Sequence, residues 1–247
     1  MIPYYTVSEF NIGFLTLHVW GMFAALGFLA GILFAGRLAL KSRLDPQVIY
    51  DFSPWLIIGS IIGARIVFLL ENPSSVHSLI DLVSVWNGGM AFHGGFAGGF
   101  VAVFIYARKN KIKLWEYADV LAPAIALGHA IGRIGCYVTG LHIGKETSVP
   151  WAVYYDGALR HPTPAYEFIG LFAIFFFLLW IREKKIAHSF HGFLFFLYIA
   201  LYSALRFFVE YFRTDPTFFG LTIAQYIVIA LFLFSSVIIW SGINRKI

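Results

Sequence analysis

Long apolar runs recur along the 247-residue chain and constrain its fold more than any other feature. A membrane-spanning helix needs about 20 largely apolar residues, and these runs have that length. Hydrophobic residues make up 60% of the chain and charged residues 13%. In soluble domains, apolar residues make up about 45–50% and charged residues about 25%. The pattern excludes a water-soluble globular domain and a disordered chain. It predicts an all-α integral membrane protein, with residues 1–247 forming a single polytopic domain.

Seven transmembrane helices are predicted along the chain. Their ranges are 15–39, 51–71, 88–107, 117–140, 163–182, 190–212 and 221–242. The fourth run is the least regular, because glycines, His129 and Arg133 interrupt it from Gly128 onward. No basic segment with a cleavage site precedes the first run, so we expect a retained span rather than a removable signal peptide.

Basic residues mark every second connection between the runs. They are Arg37, Lys41 and Arg43, then Arg108, Lys109, Lys111 and Lys113, then Arg182, Lys184 and Lys185, and finally Arg245 and Lys246. The alternate segments, including the long loop 140–162, carry few. Cytoplasmic loops are enriched in Lys and Arg, which predicts an outer N-terminus and a cytoplasmic C-terminus. The net charge of +5 is dispersed, so we expect no nucleic-acid partner.

A second set of polar residues lies within or at the outer ends of the runs: Arg65, His93, His129, Arg133, Arg206, Glu210 and Arg213. Charges inside a bilayer are costly and usually mark function, although Arg213 could equally snorkel to the interface. The four arginines face one obvious counter-charge, Glu210, whose spacing places it on one helix face with Arg206 and Arg213. The excess positive charge predicts an anionic ligand, and a phospholipid head group is the abundant anion in a membrane.

Two glycine-rich segments, GGMAFHGGFAGG (88–99) and GHAIGRIGCYVTG (128–140), each contain an ionisable residue. Close helix packing explains most of these glycines. His93 fits either a general base, since the unperturbed pKa of histidine is about 6.5, or a structural hydrogen-bonding residue.

In RHPTPAYE (160–167), Pro162 breaks any helix before the fifth run. Glu167 then fits either a capped helix start or a polar lid above a cavity.

Four segments in order resemble the prolipoprotein diacylglyceryl transferases of bacterial inner membranes. They are GGMAFHGG (88–95), GRIG (132–135), RHPTPAYE (160–167) and LRFFVEYFR (205–213), and the seven-span topology also matches. The resemblance implies transfer of a diacylglyceryl group from phosphatidylglycerol to the lipobox cysteine of a preprolipoprotein, the first step of lipoprotein maturation. Glycerol phosphate leaves, and the active site faces the outer leaflet on the periplasmic side. No cofactor and no metal are expected, and the partners are these two substrates and membrane lipids.

The resemblance also implies roles for individual residues. The expected catalytic residues are His93 as the base for the thiol, and Arg133 and Arg206, which hold the phosphate and stabilise the leaving group. The expected substrate-binding residues are Arg65, Gly94, Gly95, Gly140, Gly144, His161, Glu167, Tyr202, Glu210 and Arg213.

The chain departs from the family signature at four positions. Cys136 and Thr139 replace two asparagines, Leu141 replaces a glutamate, and Trp20 stands where tyrosine is usual. These changes fit a divergent member with the same reaction, which we favour, or a relative acting on a different acceptor or lipid. Cys136, the lone cysteine, excludes an intrachain disulfide. Its small apolar side chain suits helix packing better than a covalent lipid carrier.

Two other classes compete with the transferase. A transporter of anionic substrates or a channel would also use buried charges, but the pattern is dominated by arginine, and no internal repeat is evident. A seven-span receptor has the same topology. A retinal protein is excluded because residues 221–242 contain no lysine.

Overall fold

The computed structural model describes residues 4–12, 15–73, 78–84 and 89–244. Within these ranges, the side chains of Ile12, Leu15, Leu79, Phe92 and His93 lie outside the description. Seven long helices account for most of the described chain: α1 (Val19–Lys41), α2 (Gln47–Glu71), α3 (Phe92–Lys109), α4 (Leu114–Thr139), α5 (Thr163–Arg182), α6 (Phe193–Glu210) and α7 (Ile223–Asn244).

In the described part of the chain, three antiparallel two-stranded hairpins and two short 3₁₀ turns lie before or between the helices, and the all-α prediction misses the hairpins. The hairpins are β1 (Glu9–Ile12) with β2 (Leu15–His18), β3 (Val153–Tyr155) with β4 (Ala158–Arg160), and β5 (Thr217–Phe218) with β6 (Leu221–Thr222). The 3₁₀ turns are Leu79–Leu82 and Lys185–His188.

Each predicted run corresponds to a helix, and two of the approximate predicted starts fall on strands. Residues 15–18 form β2, where Thr16 pairs with Asn11 and donates to its side chain at 2.8 Å. Residues 221–222 form β6 instead of the start of α7. Helix α4 continues unbroken through Gly128 and Gly132 to Thr139.

Six of the seven described helices are long and apolar enough to cross a membrane. The exception, α3, is rich in glycine and ends in Arg108 and Lys109. Large apolar side chains on the other helices, such as Ile62, Phe176 and Trp240, are exposed. A soluble protein rarely leaves so much apolar surface uncovered, so this is an integral membrane protein built mainly of helices.

The chain divides into two compact units, Gly36–Tyr117 and the combination of Met1–Ala35 with Ala118–Ile247. In the second of these, the core lies between α4, α5 and α6, where the small Ala126 belongs to the same buried cluster as the larger Leu171 and Tyr198. Helix α1 approaches α4 closely, since a Cβ added to Gly27 would lie 2.5 Å from the Gly128 carbonyl oxygen.

The unit Gly36–Tyr117 is built on the pairing of α2 with α3. A Cβ at Gly94 would collide with the carbonyl oxygen of Gly63, and one at Gly98 with that of Gly59. These glycines therefore allow the two helix backbones to touch, as small residues do in membrane bundles. The packing interpretation of the first glycine-rich segment is confirmed for Gly94 and Gly98.

Candidate active site

Three helices contribute charged side chains to one site within the unit that contains α4 to α7. Arg133 comes from the last two turns of α4, Glu167 from the second turn of α5, and Arg206 and Glu210 from the end of α6. Antiparallel neighbours bring the end of one helix beside the start of the next. The early part of α5 therefore meets the late parts of α4 and α6.

Glu167 lies between two arginines and is 1% exposed. Its Oε2 atom is 2.5 Å from Nε of Arg133, and its Oε1 atom accepts a hydrogen bond from Nη1 of Arg206 at 2.5 Å. The sequence left open a polar lid or a helix cap for Glu167. The geometry instead makes it the buried counter-ion that joins α4 to α6.

The chain of charges continues from Arg206 to the segment after α6. Nη2 of Arg206 is 2.6 Å from Oε2 of Glu210, and Nε of Arg213 is 3.6 Å from the same oxygen. The other oxygen of Glu210 accepts from the Thr222 hydroxyl at 2.9 Å. Arg213 then donates through Nε to Oδ2 of Asp215 at 2.6 Å.

We call these six residues the arginine–carboxylate network: Arg133, Glu167, Arg206, Glu210, Arg213 and Asp215. It alternates in sign and contains three positive and three negative side chains, so its formal charge is zero. The predicted excess of positive charge is therefore wrong for this cluster, because Glu167 and Asp215 add two counter-charges that the sequence argument did not assign. An anion can still bind, since each guanidinium has five N–H donors and the carboxylates occupy a subset of them.

Aromatic side chains line the α4–α6 contact deeper in the helices. The Tyr202 ring centroid lies 4.9 Å from that of His129, which is one turn before Arg133. The Tyr198 hydroxyl is 3.5 Å from Nδ1 of His129, and Tyr202 interacts with Arg133. The predicted residue Tyr202 thus joins the network to a polar patch inside the bundle.

His142, which the sequence analysis did not select, lies against the outer end of the network. Its Nδ1 atom is 3.4 Å from Nη2 of Arg213, and its carbonyl oxygen accepts a hydrogen bond from the Thr163 hydroxyl. Its φ of 63° is left-handed. Desolvation of the ring, followed by the charge of Arg213, lowers the pKa of the imidazole to about 4, although the residue is exposed overall. The sequence feature that could have pointed to His142 is its position next to Leu141, where the chain departs from the family signature.

The predicted loop residues Gly140, Gly144 and His161 shape the segment around the network. Gly140 has φ +74°, a conformation that favours glycine. The Gly144 N–H donates to the His161 carbonyl at 2.9 Å, and a Cβ there would collide with the Phe212 backbone. The His161 ring is engaged with the Tyr166 hydroxyl at 2.9 Å, and burial lowers the pKa of this histidine.

The remaining predicted residues belong to the unit Gly36–Tyr117. Arg65 is 9% exposed and donates to backbone carbonyls of the segment before α3, at 2.9 Å to Gly89 and also to Asp81. That geometry gives Arg65 a part in holding this segment, and its role in substrate binding stays a prediction. Gly95 makes ordinary contacts near Ala64. The side chain of His93 lies outside the described part of the chain, so its role as a base also stays a prediction.

The three substitutions that follow Arg133 are accommodated locally. Cys136 is 5% exposed, which agrees with a packing role. The Thr139 hydroxyl donates to the carbonyl of Gly135 at 2.8 Å, within its own helix. Leu141 is 43% exposed.

Comparisons with known proteins place nearly the whole chain in one family. The family model described as prolipoprotein diacylglyceryl transferase matches residues 8–241. A phosphatidylglycerol–prolipoprotein diacylglyceryl transferase from Thermosynechococcus vestitus is 34% identical over 230 residues, 88% of this chain and 85% of the relative. Proteins of the same name from Finegoldia magna and Campylobacter lari are 32% and 33% identical over 91% and 93% of this chain, and over 90% of each relative. The chain therefore belongs to the prolipoprotein diacylglyceryl transferase family.

Proposed function

We propose that this protein transfers a diacylglyceryl group from phosphatidylglycerol to the lipobox cysteine thiol of a preprolipoprotein. Its relatives are named for this donor, this acceptor and this transfer. The observation that carries the proposal is the arginine–carboxylate network, in which Arg133 and Arg206 are held rigidly by one buried carboxylate. Two fixed guanidinium groups suit the binding of a phosphodiester, because arginine matches phosphate geometry.

In the proposed reaction, the acceptor sulfur attacks the glycerol carbon of the diacylglyceryl group. A C–S bond forms, the C–O bond to phosphate breaks, and its electron pair leaves with glycerol phosphate. The thiol proton passes to a base, for which His93 is our candidate, since the thiolate is the reactive form. Arg133 contacts Glu167 through Nε, so its terminal amino groups can face the charge that develops on the leaving phosphate.

We also propose seven membrane spans, an outer N-terminus, a cytoplasmic C-terminus and an active site at the outer leaflet of the bacterial inner membrane. The network lies at the ends of α4 and α6, whereas Arg182, Lys184 and Lys185 lie at the opposite end of α5. Because basic loops stay in the cytoplasm, this arrangement supports a network on the periplasmic side. The lipobox segment and membrane lipids would reach it there.

A second candidate is the same type of transfer with a different lipid or acceptor. The observation that favours it is the set of signature departures, in which buried Cys136 and exposed Leu141 replace an amide and a carboxylate. Trp20, which is 50% exposed on α1, is a further departure.

The test supplies the purified protein with phosphatidylglycerol and a synthetic lipobox peptide. Mass spectrometry should find a diacylglyceryl thioether on the peptide cysteine. If folded protein gives no thioether with phosphatidylglycerol but modifies the peptide from a total lipid extract, the second candidate replaces the first. If neither lipid source gives a product, the proposed transfer is wrong.

Variants of the three proposed catalytic residues connect the activity to the site. We expect His93→Ala, Arg133→Ala and Arg206→Ala to abolish transfer. Because alanine at either arginine leaves Glu167 with less positive charge, Arg133→Lys and Arg206→Lys serve as the better-folded variants and should lose about 10²-fold or more in kcat. Arg160→Lys, which alters an ion pair with Glu146 on the outer loop, is the matched control and should keep near-normal activity. Near-normal transfer in all three catalytic variants would refute the site.

A further inference from the structure

The carboxylates of the network differ sharply in how deeply they are buried. Glu167 and Glu210 are 1% and 2% exposed, whereas the Asp215 side chain is 41% exposed. Removing one partner from a buried ion pair is strongly unfavourable, because it leaves an uncompensated charge. An exposed carboxylate returns to water at little cost. Among the described contacts of the network, the pair of Arg213 with Asp215 is therefore the one that another anion can most readily replace.

The surroundings of Arg213 suit an incoming anion. Its Nε atom is 2.6 Å from Asp215 Oδ2, and its Nη2 atom is 3.4 Å from Nδ1 of His142. An arginine N–H can donate but not accept, so Nδ1 of His142 is the acceptor in this contact. Lys145, whose ammonium group donates to the Tyr211 carbonyl at 3.0 Å, adds a positive charge to the same loop region.

We propose that Asp215 is a resident anion on Arg213, and that the phosphate of the lipid donor, or of the leaving glycerol phosphate, displaces it. This inference rests on the proposed function for the identity of the phosphate compound. Arg213 then exchanges a carboxylate for a phosphate. Asp215 is a competitor that weakens binding and releases product, whereas Glu167 and Glu210 hold the other arginines in place throughout.

The first experiment measures the KM for phosphatidylglycerol at saturating lipobox peptide. Asp215→Asn and Asp215→Ala should lower this KM by about two- to fivefold, the range that loss of one exposed ion pair allows, with kcat changed less. Asp156→Asn removes the same charge from the exposed β3–β4 turn, where the φ of 49° suits asparagine. It is the matched control and should leave KM unchanged.

Adding Arg213→Gln isolates the proposed contact. In that background, Asp215→Asn should bring no further fall in KM, because the partner that Asp215 occupies is gone. An unchanged or raised KM in both single Asp215 variants would overturn the inference. So would an equal fall in Asp156→Asn, because the effect would then be one of general surface charge.

A binding measurement separates this inference from the proposed transfer. Glycerol phosphate should raise the thermal stability of the detergent-purified protein, and Asp215→Asn should need a lower concentration for half of the effect. Suppose that the wild-type protein transfers nothing, yet glycerol phosphate stabilises it and Asp215→Asn lowers the half-maximal concentration. The exchange at Arg213 then stands and the proposed reaction fails. If transfer proceeds but Asp215→Asn and Asp215→Ala shift neither KM nor the half-maximal concentration, the exchange is refuted.

Discussion

At the scale of single residues, Glu167 has the greatest influence on the candidate site. One carboxylate contacts arginines from two different helices, each at 2.5 Å. Because it is almost fully buried, its charge interacts with both guanidinium groups through a medium of low dielectric constant. Its contacts hold Arg133 and Arg206 in position, and in the proposed reaction the phosphate contacts the arginines.

We expect Glu167→Gln to lower the free energy of unfolding by about 3–5 kcal/mol, because two buried arginines lose their shared counter-charge. Thermal unfolding in detergent measures the change. Glu146→Gln is the control, since Glu146 pairs with Arg160 at the surface, its side chain is 70% exposed, and such pairs contribute about 0–1 kcal/mol. Equal effects of the two substitutions would contradict the bridging role.

His142 gives the site a pH dependence whose sign can be worked out. Its pKa is about 4 in the folded protein and about 6.5 in an unfolded chain. Above pH 6.5 both states are neutral. As pH falls from about 6.5 to about 4, the unfolded chain binds the proton first, so folding stability decreases. The groups that lower the pKa are Arg213, Arg133 and Arg206, and Glu167 raises it.

His142→Asn should reduce this loss of stability, since asparagine does not titrate and tolerates the φ of 63°. Unfolding temperatures of the two proteins between pH 4 and pH 7 make the comparison. Parallel curves for the variant and the wild-type protein would show that the imidazole pKa is not lowered.

At the scale of secondary-structure elements, Asp119 holds the start of α6 to α4. Its Oδ1 atom accepts the Leu194 N–H and its Oδ2 atom accepts the Gly192 N–H, each at 2.7 Å. The first N–H groups of a helix lack partners within the helix, so a carboxylate from another helix satisfies them. This contact lies 14 residues before Arg133 on α4 and therefore fixes the far ends of the two helices that carry Arg133 and Arg206.

Asp119→Ala should destabilise the protein by about 1–2 kcal/mol, the effect of removing a strong N-terminal cap. Asp119→Asn keeps one carbonyl acceptor and should cost less. Thermal unfolding in detergent gives both values. If alanine and asparagine were equally harmless, the contact would contribute nothing to the register of α6.

The elements also show where the hydropathy of the sequence predicted the structure. Helices of about 20 apolar residues were predictable because the bilayer sets their length. The hairpins were not, since strands of two to four residues lack a periodic pattern long enough to detect. Asp119 was not selected because a cap supplied by a distant helix leaves no local signature.

At the scale of the whole molecule, the alternation of basic loops predicts the topology. Single cysteines can test it in a Cys136→Ser background, because the chain has one native cysteine. We expect Lys111→Cys to react with a membrane-impermeant thiol reagent from the cytoplasmic side, and Asp156→Cys from the outer side. Labelling of both from the same side would refute the predicted orientation of the spans.

The sequence by itself determined the class of the protein, the approximate position of every long helix, the family, and most of the charged residues now assigned to the network. These follow from hydropathy, basic-loop alternation and short motifs, which are local properties of the chain. The contacts of Glu210 and Asp215 with Arg206 and Arg213 span two to four residues, so sequence spacing already favours them. Tertiary structure alone decided that Glu167 from α5 pairs with Arg133 from α4 and Arg206 from α6, because that contact depends on how the three helices pack. The addition of Glu167 to the network, its deep burial and the place of His142 beside Arg213 all result from that packing.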